Sequence, residues 1–157
     1  VYLWSHMLIL PLITLYATAC EWHTAGVPFP GGIAWLLAAS FSNGLVIEIG
    51  RKIRAPEAEE RGVDTYSALW GRRTATLAWW AAMLLAAATS LPVAKTIGLS
   101  AVLAVAFGGV LTLAAVAGRR FLDQPTPKRA GLFEPVSGLW TLVAYLGLGV
   151  GPWVLRS

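Results

Sequence analysis

Five stretches of this chain, residues 2–20, 32–50, 76–91, 96–117 and 135–155, are apolar over nearly the whole length needed to cross a hydrocarbon core. A helix needs about 20 such residues to do so. Inside a bilayer the backbone has no water to bond to, so a spanning segment of this kind must satisfy its own N–H and C=O groups as a helix. The pattern therefore predicts an all-α integral membrane helical bundle of about five transmembrane helices. Composition agrees, with 57% hydrophobic and 13% charged residues, where soluble domains carry about a quarter charged. No internal repeat or linker divides the chain, so residues 1–157 read as a single membrane domain. The single cysteine, Cys20, excludes an internal disulfide and reads as a small apolar filler. Val1 opens the chain already within a hydrophobic run and without a basic signal-peptide region, so we expect upstream sequence to be missing.

The connections between spans differ in charge, and the difference predicts orientation. Arg51, Lys52, Arg54, Arg61, Arg72 and Arg73 lie in the second connection, and Arg119, Arg120, Lys128 and Arg129 in the fourth. Only Lys95 and Arg156 fall at the other end. Because Lys and Arg near helix ends are retained in the cytoplasm, both charged loops are expected to face the cytoplasm and the C-terminus to lie outside. Trp22, Trp35, Trp70 and Trp153 fall near the expected interfaces, as belt residues do. Gly108, Gly109, Gly147, Gly149 and Gly151 in the last two spans suit close packing within the bundle. Pro11 is expected to kink the first span.

Residues 43–75 hold five of the eight acids and six of the twelve bases, so chemistry is to be sought there. Asn43 and Glu48 lie in the inner half of the second span, where a carboxylate must face a cavity, a cation or a partner. Glu48 and Lys52 are spaced i, i+4, which suits an ion pair. The same spacing also allows Glu48 to help hold a divalent cation while Arg51, Lys52 and Arg54 present positive charge to a phosphorylated ligand. Pro56 ends any helix begun upstream. Glu57, Glu59 and Glu60 follow it, as a solvated face or as oxygen ligands for magnesium, which commonly bridges carboxylate and diphosphate. After Gly62, Asp64 or Thr65 is placed to cap a helix with Tyr66 and Ser67 in its first turn.

The run GVDTYSALWGRRTA resembles the segment following the second aspartate-rich motif in the UbiA superfamily of membrane prenyltransferases. Gly62, Thr65, Gly71, Arg72 and Ala75 stand at that segment's characteristic places, and the topology resembles spans five to nine of that nine-helix fold. The resemblance implies transfer of a polyprenyl group from its diphosphate to a lipophilic acceptor, with Mg2+ as cofactor. It implies catalytic roles for Glu48, Lys52 and Tyr66, and diphosphate binding by Asn43, Arg51, Lys52, Arg54, Thr65 and Arg72. Metal contacts would fall to Glu48, Glu57, Glu59 and Glu60. Tyr66 and Trp70 would be placed to shield a carbocation, and His6 after Ser5 resembles a polar pair found in some members. Glu48 is followed four residues on by Lys52 where the family has a second aspartate, and nothing matches its Asn-Asp-x-x-Asp motif. The expected partners are thus a polyprenyl diphosphate, an acceptor, the lipid bilayer and a missing N-terminal half, with no nucleic acid. The fragment alone is expected to be inactive, and its expected location is the bacterial inner (plasma) membrane.

A non-catalytic transporter or assembly subunit with basic cytoplasmic loops is the alternative. In a Cys20→Ser background, a cysteine at Ser157 should react with an impermeant maleimide added outside intact cells, and one at Glu60 should not. Labelling at Glu60 but not Ser157 contradicts the orientation.

Overall fold

The structure, a computed structural model, describes residues 2–60 and 62–156, with side chains described over 5–60 and 62–154. Among the described residues the chain is helical without strands. Its helices are α1 (Tyr2–Met7), α2 (Ile9–Thr24), α3 (Ile33–Arg51), α4 (Tyr66–Trp70), α5 (Arg72–Thr96), α6 (Ser100–Asp123), α7 (Pro127–Ala130), α8 (Phe133–Gly149) and α9 (Gly151–Arg156). A 3₁₀ turn at Pro56–Ala58 lies between α3 and α4.

Among the described residues four segments are long and apolar enough to cross a membrane: α3, α5, α6 and Pro127–Gly149. The expectation of about five is thus met only in part, because the first stretch breaks at Leu8. Pro11 explains the position. Its ring has no N–H to give and would crowd the carbonyl four residues back, at Met7, so the helix stops there and restarts with Pro11 in its first turn. The remaining 16 residues of α2 rise only about 24 Å, short of a ~30 Å hydrocarbon core.

Pro92 behaves differently. The third apolar stretch, expected to end at residue 91, does not stop there, and α5 runs through Pro92 to Thr96. The helix keeps apolar packing on both sides of Pro92, a setting in which a membrane helix tolerates the lost bond. The turn comes instead at Gly98, whose φ of +75° suits glycine.

α3 is the central helix. In its membrane-length window 61% of residues are buried, against 39% in α5, 33% in α6 and 22% in the last span. Its small residues Ala39, Ser40, Ser42, Gly44 and Gly50 allow this close surrounding. Met7 and Leu10 pack where a Cβ on Gly44 would stand. Two buried tryptophans then fasten the helices together. Trp140 Nε1 donates to Asn43 Oδ1 at 3.0 Å, and Trp79 Nε1 donates to Ser137 Oγ at 2.8 Å. Aromatic contacts continue the packing through Trp79–Phe133, Phe121–Phe133 and Phe107–Trp140. α2 buries none of its own residues and holds to α3 in part through Thr14 and Ser40, whose hydroxyls are 2.8 Å apart.

Several small-residue expectations divide. Gly147 and Gly151 stand against Leu103 and Leu99, whereas Gly108, Gly109 and Gly149 meet nothing within 4 Å and do not pack in this bundle. Cys20 is exposed on α2, not an interior filler. Trp35, Trp70 and Trp153 are exposed, as belt residues would be, while Trp79 and Trp140 are in the core.

The tightest approach is at Gly50, where an added Cβ would stand 2.1 Å from Ser137 Oγ and 2.9 Å from Trp79 Nε1. Gly50→Ala should therefore cost about 1–3 kcal/mol through overpacking. Adding Ser137→Ala should recover part of the loss in a melting experiment. A fully stable Gly50→Ala protein would contradict the packing described.

Candidate functional site

The charged segment collects where α3 ends. Glu48 is nearly fully buried, and its carboxylate meets two bases of its own helix: Arg51 Nη2 at 2.7 Å from Oε2 and Lys52 Nζ at 2.9 Å from Oε1. The second contact is ionic without hydrogen-bond alignment. Both follow from i, i+3 and i, i+4 spacing on one helix face. The Lys52 ammonium also lies 5.6 Å from the centroid of the Tyr66 ring, which stacks on Trp70 at 4.3 Å.

Beyond Lys52 the chain is shaped by Glu59. Its carboxylate accepts hydrogen bonds from Thr65 Oγ1 and, at 2.7 Å, from Ser67 Oγ. Ser67 Oγ in turn accepts from the Arg54 backbone N–H at 2.8 Å. Thr65 caps α4 by accepting from the Ala68 N–H, so of the two expected caps it is Thr65, not Asp64. Tyr66 N–H donates to the Lys52 carbonyl at 3.0 Å. Gly71 then joins α4 to α5 with a φ of +79°, a conformation that favours glycine. These contacts fold the loop back on the end of α3 and fix where Arg54 starts.

A cleft of about 350 Å³ opens beside this clasp, lined by Arg51, Lys52, Arg54, Val63, Asp64, Thr65 and Glu134. A smaller cavity of about 100 Å³ shares Arg51, Arg54 and Glu134 with it and is bordered by Pro127 and Gly131. The structure thus gathers four expected ligand-binding residues, Arg51, Lys52, Arg54 and Thr65, on one cleft over the buried Glu48.

The other expected site residues lie elsewhere. Asn43 is buried with its amide engaged at both ends, accepting from Trp140 and donating to the Ala39 carbonyl at 2.8 Å. Tyr66 is buried behind Lys52. Arg72 lines a separate cleft with Ser67, Gly71, Arg73, Thr74 and Leu122. Glu57 and Glu60 are exposed and line neither cavity at Arg51, and Glu59 is occupied by its two hydroxyls. Arg61 lies outside the described residues.

Magnesium commonly needs only one or two protein carboxylates when a phosphate completes its shell. Among the described residues no three His, Cys, Asp or Glu side chains cluster, and the expected carboxylates Glu48 and Glu59 are already engaged. Asp64 and Glu134 fit the requirement better: both line the cleft, and neither is in an ion pair among those resolved. They are the functional candidates that the sequence pattern did not single out. Glu134 is eighty-six positions from Glu48 in a different span, and Asp64 reads from sequence as a cap. The one available signal was an acid placed right after a basic connection.

Comparison with protein-family models, characterised proteins and solved structures found no match.

Removing the clasp should loosen the loop without unfolding the bundle. Glu59→Ala is expected to raise amide hydrogen exchange in residues 59–67 by about tenfold, the effect of losing ~1–2 kcal/mol of hydrogen bonding. Exchange unchanged from the parent protein would rule out the clasp.

Proposed function

We propose that this chain forms part of a membrane prenyltransferase, in which the cleft at the end of α3 binds the diphosphate of a polyprenyl donor destined for a lipophilic acceptor. The observation carrying the reading is the convergence of Arg51, Lys52 and Arg54 with Asp64 and Glu134 on one small cleft at the end of an apolar bundle. Such a mixture suits an anion bound with a divalent cation better than a bare anion. The bases supply charge-assisted hydrogen bonds to phosphate oxygens, and the two carboxylates supply oxygen ligands for the cation.

The resemblance of residues 62–75 to the UbiA-type segment adds the donor class. In this reading the orientation has the cleft facing the cytoplasm of a bacterial inner membrane, and the donor's isoprenoid tail lies along the apolar spans. Asp64 and Glu134 would hold Mg2+, which neutralises the leaving diphosphate when bound. The chain's own bases do complementary work: Arg51 and Arg54 orient the diphosphate, and Glu48 holds Arg51 and Lys52 on one face of α3. Tyr66 and Trp70 shape the wall behind Lys52. The metal roles first expected for Glu48, Glu57, Glu59 and Glu60 pass in this proposal to Asp64 and Glu134. An acidic motif matching the family's other one would come from a further segment.

A second reading, a non-catalytic transporter or assembly subunit, is favoured by one observation: the most buried carboxylate of the segment, Glu48, is already neutralised by its own helix. Turnover separates the two. In the full-length protein in detergent, magnesium-dependent consumption of a polyprenyl diphosphate should fall about ten- to a hundredfold on Arg54→Gln, the loss of one charged hydrogen bond. Glu48→Gln should also weaken it while leaving expression intact. No turnover by the parent protein, or equal turnover by the variants, would count against the enzyme.

A further inference from the structure

At the opposite end of the bundle lies a further cavity of about 530 Å³, between the end of α2, the loop that follows it, the start of α3 and the end of α5. Its size suits a small-molecule site. The lining is mainly apolar, with two tryptophans, Trp22 and Trp35, and one acid, Glu21. No Lys or Arg lines it; Lys95 is next in sequence to the lining residue Thr96 but does not itself contribute.

The charge lining this cavity is one-sided, with a carboxylate and no base. Thr18 Oγ1 already donates to the Thr14 carbonyl at 2.8 Å, and Thr96 Oγ1 to the Val93 carbonyl at 2.7 Å. Trp22 Nε1 is shut off from solvent, so the indole's carbon atoms line the space. Pro30 and Pro92 carry no N–H. What the side chains offer a ligand is therefore a carboxylate, hydroxyl oxygens, aromatic surface and the indole N–H of the half-exposed Trp35, with no basic group. An alkylammonium group finds both partners it prefers, the face of tryptophan and a carboxylate.

We infer that this cavity binds a lipophilic ammonium compound, an apolar body with a cationic nitrogen head, with Glu21 and Trp35 as its principal recognition residues. The site is separated from the charged cleft by the length of α3 and does not rest on the diphosphate reading. Two sources share the chemistry, a free lipophilic amine and the ammonium headgroup of a phospholipid.

The test uses the protein in phosphatidylglycerol nanodiscs with 4-phenylbutyl-trimethylammonium and its uncharged carbon isostere, in which a tert-butyl group replaces the trimethylammonium. Binding is followed by saturation-transfer NMR. The cation should bind saturably, and Glu21→Gln and Trp35→Leu should each weaken it about five- to tenfold. The carbon isostere should bind the parent protein no better than the cation binds Glu21→Gln. Melting temperatures verify that both variants fold, and Glu21 is exposed on α2, so its loss leaves the packing intact. Including phosphatidylethanolamine in the discs identifies the source: competition marks the lipid headgroup as the ligand, and absence of competition marks the free amine. Equal binding of cation and isostere, or a cation affinity unchanged by Glu21→Gln, overturns the inference.

Discussion

A carboxylate buried at the end of an apolar helix has to be neutralised, and here Glu48 is neutralised by the next turn of its own helix. That single requirement arranges the charged end of the molecule. By drawing Arg51 and Lys52 back toward α3, Glu48 sets two bases on one face, and the chain leaves the helix immediately afterwards. Arg54 follows, with its backbone held by Ser67. Without Glu48 the Arg51 guanidinium would lose the partner that draws it back along α3, beside the cleft it lines with Asp64 and Glu134. An ion pair of this kind contributes little net stability when partly exposed. Its effect here is on geometry.

The clasp at Glu59 completes the arrangement by a different kind of interaction. One carboxylate receives two hydroxyls, and one of those hydroxyls receives a backbone N–H, so three stretches of the loop are tied through three side chains. Four of the five positions that gave the segment its resemblance have a local physical role in the fold. Gly62 and Gly71 take positive φ, Thr65 caps α4, and Ala75 is fully buried. These roles explain why the segment folds as it does. They carry no information about chemistry, which rests on the cleft.

Much of the architecture was legible because membrane helices are written in sequence as long apolar runs. The helices α3, α5, α6 and α8 fall close to their expected places, and the two basic connections lie at one end of the bundle. The breaks were harder to read. Pro11 and Pro92 are chemically identical, yet one coincides with a helix restart and the other is absorbed, since packing by neighbouring helices decides the outcome. Partners remote in sequence were invisible altogether. Asn43 looks from sequence like a polar group awaiting a ligand, while its partner is Trp140, ninety-seven positions away. Glu59 looks like a metal ligand until Thr65 and Ser67 are seen to occupy it. Glu134 belongs to a different span from every other candidate and joins them only through the fold.

The central claim is that the cleft recognises a diphosphate carried on an isoprenoid. Its most direct test is equilibrium binding to the protein in nanodiscs of a labelled prenyl diphosphate and of the corresponding prenyl alcohol, each with magnesium and at increasing salt. The account predicts saturable binding of the diphosphate that inorganic diphosphate displaces and salt weakens, with the alcohol merely partitioning into lipid. Equal retention of diphosphate and alcohol, indifferent to inorganic diphosphate, would contradict it.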